Sequence, residues 1–223
     1  MLSDFRQHFL CPKITPSFLV VLSKENRRLN YKRGTNMVGE IAHHSESFKF
    51  DSNNIKLHIY PIKGLTMEML NETVMPALII CSSRIDRLIK AKYVDSFLAV
   101  HFLDTIDMND DGSIKTQHAE VIKDFLFNLS PEITDLFICC DGGDSRSPAI
   151  AAAILKMMGR NDERIWKNPF YTPNILVYYI ICQVFGIPVS WENVLEMRMI
   201  NEKAYKETQM KNGQTGYKRW EIL

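Results

Sequence analysis

The stretch Leu136-Phe137-Ile138-Cys139-Cys140-Asp141-Gly142-Gly143-Asp144-Ser145-Arg146-Ser147-Pro148-Ala149-Ile150-Ala151-Ala152-Ala153 decides how this chain is read. Its apolar opening predicts a strand over 134–140. Its Ala-rich end predicts a helix running to Met158. Between them a thiol, Cys140, closes the strand, a Gly-containing loop follows, and Arg146 opens the helix. Backbone N–H groups of such a loop converge on one point, and the helix N-terminus adds positive potential there. The pattern describes an oxyanion site with a sulfur nucleophile at its floor.

Each residue type in that loop has a chemical reason. A thiol with an ordinary pKa of about 8.5 is mostly protonated at neutral pH, and a helix N-terminus with a nearby guanidinium lowers that value. Cys140 is therefore expected to be a thiolate. Arg146 carries a planar fork of donors that matches two phosphate oxygens at once. Gly142 and Gly143 let the backbone turn its amides inward where a Cβ would block close approach. Ser147 can donate a hydrogen bond to the sulfur and ease its departure from a covalent intermediate.

In its order Cys, Gly at +3, Arg at +6 and Ser at +7, between strand and helix, the loop resembles the phosphate-binding signature of the protein tyrosine phosphatases. Ser145-Arg146-Ser147-Pro148 is closest to the dual-specificity branch. The resemblance implies an α/β fold with a central sheet flanked by helices, Cys140 as nucleophile, and Arg146 as phosphate clamp. Asp141, Gly142, Gly143, Asp144 and Ser145 would then line the substrate cradle. It also implies a proton donor on a loop after an upstream strand. Asp104-Thr105, thirty-six residues before Cys140, fits that pattern, with Asp107 as runner-up. Two features depart from the family. Cys139 stands where the family has His, and Asp141 and Asp144 are acidic in a loop built for a dianion. Carboxylates facing outward would make the rim negative. Facing inward, they would raise the Cys140 pKa.

Outward from the loop, strands are expected at 17–22, 55–60, 77–81 and from 97. Helices are expected at 66–71, 83–92, 118–129, 148–158, 173–185 and 191 to about 205. Residues 24–54 are polar, basic and Gly-containing, so residues 1–54 read as an N-terminal extension leading into a catalytic domain over 55–223. Gly159 and Gly186 are natural helix stops. Asn168 to Asn174 is rich in turn formers and aromatics. Asn174 or Thr172 can cap a helix there, and Tyr171 or Asn174 can border the cleft. Alternating strands and helices argue for an α/β domain.

Bulk properties set the remaining expectations. The formal net charge of +1 gives no general attraction to nucleic acid, and no apolar run approaches the length needed to cross a bilayer. Five unpatterned cysteines point to a reducing, cytoplasmic setting. No Cys/His cluster has metal-ligand spacing, and neither metal nor organic cofactor is expected. Cys81 and Cys182 lie in apolar runs and read as small core residues. The substrate expected is a phosphorylated protein or a small phosphate monoester. Nucleotide or RNA phosphates, and a non-catalytic phosphate-binding module, are the alternatives.

Overall fold

The computed structural model describes residues 20–22, 51–66, 70, 73, 75–84 and 96–212. The expected helices at 66–71 and 83–92, most of the 24–54 segment, and the chain after Asn212 lie largely or wholly outside the described residues. What is described is an α/β arrangement. Strands β1 (Val20–Leu22), β2 (Lys56–Pro61), β3 (Pro76–Ser82), β4 (Ser96–His101) and β5 (Asp135–Cys140) form one sheet in the order β1-β4-β3-β5-β2. β2 to β5 run parallel, and β1, from within the first 54 residues, pairs antiparallel with β4 at the edge.

The central strands β3 and β5 are apolar between Ala77 and Cys81 and between Leu136 and Cys140, because parallel strands in such a sheet are covered on both faces. Alternation assigns their residues to two cores. Leu136, Ile138 and Cys140 face one way, into the larger cluster, while Phe137 and Cys139 join Leu78, Ile80, Phe97 and Ala99 on the other side. Helices α1 (Thr116–Phe127), α2 (Arg146–Met157), α3 (Glu163–Trp166), α4 (Ile175–Val184) and α5 (Trp191–Asn212) all contribute to the larger cluster. The helices described thus share one face of the sheet. α2 lies at the centre of that layer. Arg146 to Leu155 are buried on every side, and the small Ala149, Ala151, Ala152 and Ala153 let it sit close to the strands.

Two shifted boundaries and one added turn stand out against the sequence pattern. α2 begins at Arg146 and not at Pro148, because a proline in the first turn lacks only an N–H that has no intrahelical acceptor. α5 continues past Tyr205 to Asn212, through a run of good helix formers, with i,i+4 ion pairs Arg198–Glu202 and Lys203–Glu207 on its exposed side. α3 is a single turn that no periodicity announces. Trp166 fixes it by donating its indole N–H to buried Asp162, which also accepts from the Tyr178 hydroxyl.

Candidate active site

Parallel strands deliver their carboxyl ends to one edge, where α/β sheets bind ligands. The residues singled out by the sequence meet there. β5 ends at Cys140, and the chain turns through Gly143 at φ 73°, a left-handed conformation that only glycine adopts without strain. That turn brings the Gly143 N–H to 3.1 Å from Cys140 Sγ. Ser147, one residue into α2, sets its hydroxyl 3.1 Å from the same sulfur. A Cβ at Gly142 would displace the Asp144 carboxylate.

The sulfur is buried, yet its pKa is lowered to about 5. The largest contribution comes from the Cys81 thiol. Cys81 is the register partner of Cys140 on the neighbouring strand, and burial keeps it protonated. Cys81 Sγ also lies 3.4 Å from the Cys139 carbonyl oxygen, so its one proton has two acceptors within reach. Burial of Cys140 opposes ionisation, while the Ser147 hydroxyl and N–H and the Arg146 charge favour it. The direction gives a test. Because the folded value is lowered, the thiolate is the majority form above a pH of about 5. Alkylation of Cys140 by iodoacetamide should therefore rise through a midpoint near 5, far below the ~8.5 of a free thiol. A midpoint of about 8 or 9 would sink the assignment of a stabilised thiolate.

Arg146 is 3% exposed and its guanidinium is held on two sides. One terminal nitrogen donates to the Phe102 carbonyl oxygen at 2.8 Å, the other to an Asp141 oxygen at 2.6 Å. Asp141 was expected among the substrate-binding residues. Its carboxylate instead accepts from the Ser82 hydroxyl at 2.8 Å, and from the Ser83 N–H and hydroxyl at 3.1 and 2.9 Å. It braces the loop and Arg146 against the end of β3. Burial resists its ionisation, but the donors Ser82, Arg146 and Ser83 outweigh that and hold it far below the usual carboxylate range. The negative charge expected to oppose the thiolate is thus neutralised locally by Arg146. Arg146 Nε is buried, and no hydrogen-bond partner reaches it; the Asp104 carboxylate stands 3.7 Å away, too far for a hydrogen bond.

Asp104 follows β4 on a loop running to Ser113 and faces the phosphate loop. Its Oδ1 accepts from the Ser145 hydroxyl and from the Asn174 amide, both at 2.8 Å. Ser145 occupies the N-cap position of α2 but does not cap it; its hydroxyl goes to Asp104. Asp107, the runner-up, accepts from the Asn109 N–H within its own turn. Thr172 N–H donates to the Asp144 carbonyl oxygen at 2.7 Å, tying the 168–174 segment to the loop. Of the two cleft candidates there, Tyr171 is buried in the core and Asn174 reaches the site.

The structure adds residues that sequence reasoning left out. Cys81, Ser82, Ser83 and the Phe102 carbonyl all act on Cys140, Asp141 or Arg146. Their only sequence signal is position at the ends of β3 and β4, which becomes meaningful once the register is known. Cys139, in place of His, is fully buried in the smaller core across the sheet from Cys140. Burial pushes its thiol far up, so it remains a neutral apolar residue. Among the described residues no group of three His, Cys, Asp or Glu side chains is arranged to hold a metal ion, and no helix is long and apolar enough to cross a membrane. No protein-family model matches the chain, and no curated protein matches it in sequence.

Proposed function

We propose that this protein is a cysteine-dependent phosphatase of the dual-specificity-like class. It hydrolyses phosphate monoesters, in our reading those on tyrosine, serine or threonine side chains of proteins. The observation that carries the proposal is the pairing at one point of a stabilised thiolate and a fixed guanidinium. Cys140 Sγ accepts the Gly143 N–H, and Arg146, whose charge favours the thiolate, keeps a buried Nε without a hydrogen-bond partner. A phosphate oxygen is the acceptor such a donor suits.

The steps follow from the groups present. Cys140 attacks phosphorus; the sulfur–phosphorus bond forms as the bond to the leaving oxygen breaks. Asp104 gives that oxygen its proton. Arg146 and the loop amides hold the equatorial oxygens, most strongly as charge redistributes in the transition state. Asp104, now a carboxylate, takes a proton from water, whose oxygen attacks the phosphocysteine. The returning thiolate is received by the Ser147 hydroxyl and the Gly143 N–H. A thiolate stable at neutral pH supports catalysis over phosphate binding alone.

The direct test is hydrolysis of p-nitrophenyl phosphate by the purified protein in the presence of a chelator, inhibited by vanadate. A chain that releases no nitrophenol under these conditions refutes the proposal. The acid is tested separately. Asp104→Asn should slow hydrolysis of phenyl phosphate by roughly 10²–10⁴-fold and affect p-nitrophenyl phosphate much less, because nitrophenolate needs little protonation. If Asp107→Asn gives that pattern in its place, the donor is Asp107.

A further inference from the structure

Asn174 is 4% exposed, and every polar atom of its side chain is committed. Its Oδ1 accepts the Leu176 and Val177 N–H groups at 3.1 and 3.0 Å and so caps α4. Its Nδ2 donates to Asp104 Oδ1 at 2.8 Å and to the Thr105 carbonyl oxygen at 3.1 Å. Its own N–H donates to the Ser145 carbonyl oxygen at 3.2 Å. The amide orientation follows from these partners, since two N–H donors lie on one side and a carboxylate and a carbonyl on the other. One side chain thus joins a helix end, the acid loop and the phosphate loop.

That geometry has a consequence at a single atom. Asp104 Oδ1 already receives two donors, from Asn174 and Ser145. A proton on Oδ1 would face both of them. Oδ2, on the side of Arg146 Nε at 3.7 Å, has no such donors and can carry it. We propose that Asn174 is a positioning residue for proton transfer: by saturating Oδ1 and holding the Thr105 carbonyl, it directs the proton of Asp104 to Oδ2, the oxygen on the side of Arg146. This rests on the phosphatase reading and on Asp104 as the acid. The polar body of the helix cap is doubled as a brace for the acid loop, so the loop's position follows that of α4, which packs on α2.

Two variants separate the brace from the cap. Asn174→Asp keeps the acceptor for the two α4 N–H groups, loses the donors to Asp104 and Thr105, and sets a carboxylate oxygen against both. Asn174→Ser keeps a capping oxygen and loses the same donors. Both should leave KM for aryl phosphates unchanged. With phenyl phosphate, kcat should fall roughly 10- to 100-fold, part of the general-acid contribution. With p-nitrophenyl phosphate it should change little. In an Asp104→Asn background the further loss with phenyl phosphate should vanish. Equal losses on both substrates, or undiminished phenyl phosphate turnover, would overturn the proposal. Amide hydrogen exchange reads the brace without catalysis. It should quicken across 103–113 and stay slow in α4 in the Asn174→Asp protein. Unchanged exchange in the 103–113 loop overturns the proposal while leaving the phosphatase reading intact. A wild-type protein inert toward all aryl phosphates overturns the phosphatase reading, and with it the assigned role of Asn174.

Discussion

Replacing the nucleophile, Cys140→Ser, should reduce turnover of p-nitrophenyl phosphate by roughly 10⁴–10⁶-fold, the scale of losing a covalent nucleophile, while leaving oxyanion affinity in place. The argument rests on which groups do which work. The stabilisation that brings the Cys140 thiol to about 5 comes from Cys81, Ser147 and Arg146. A hydroxyl has no comparable anion to stabilise near neutral pH. The Gly143 N–H and the Arg146 guanidinium are untouched by the change, so the cradle still holds an oxyanion. Calorimetric titration with vanadate or tungstate measures that affinity. Turnover within about tenfold of wild type would remove Cys140 as nucleophile and with it the proposed mechanism.

Arg146→Lys should be nearly as damaging, for reasons of shape and not of charge. The guanidinium reaches the Phe102 carbonyl with one terminal nitrogen and Asp141 with the other, and still keeps a buried Nε that no partner in the protein satisfies. An ammonium is a single point with three donors at the end of a flexible stem. It can meet Asp141 or a phosphate oxygen, but it cannot span the three positions. Loss of oriented transition-state donors should lower kcat by on the order of 10²–10³-fold or more. The Phe102 carbonyl and part of the Asp141 carboxylate would also lose their partner inside the protein, so stability should fall by about 1–3 kcal/mol. Activity is read with p-nitrophenyl phosphate and stability by urea titration. A variant with wild-type turnover and an unchanged midpoint would show that Arg146 is not the clamp.

How far the chain announces its own site depends on whether a signal is local. Cys140, Gly143, Arg146 and Ser147 lie within eight residues, and their spacing is itself the geometry of a loop between strand and helix. Asp104 was singled out by the resemblance, as an Asp-Thr pair on a loop after a strand, and the structure sets it against Ser145 of the loop. The braces were not. Ser82 and Ser83 look like ordinary polar residues after a strand, and Cys81 like a small core residue. Whether Asp141 faces the rim or the interior is open from the sequence, and the structure turns it inward as the counter-ion of Arg146. Asn174 was readable as a helix cap, since Oδ1 answers to residues two and three positions ahead, but its Nδ2 answers to Asp104, seventy residues away.

What the sequence by itself determined is therefore the α/β alternation and the set of groups that meet at Cys140, because both follow from periodicity and from contacts between near neighbours. The tertiary structure alone decided the sheet order, and with it which further residues surround Cys140. Parallel register sets Cys81 beside Cys140 and brings the ends of β3, β4 and β5 to one edge. Such pairing is made between segments dozens of residues apart, by backbone groups common to every residue, so side-chain identity along the chain carries no direct mark of it.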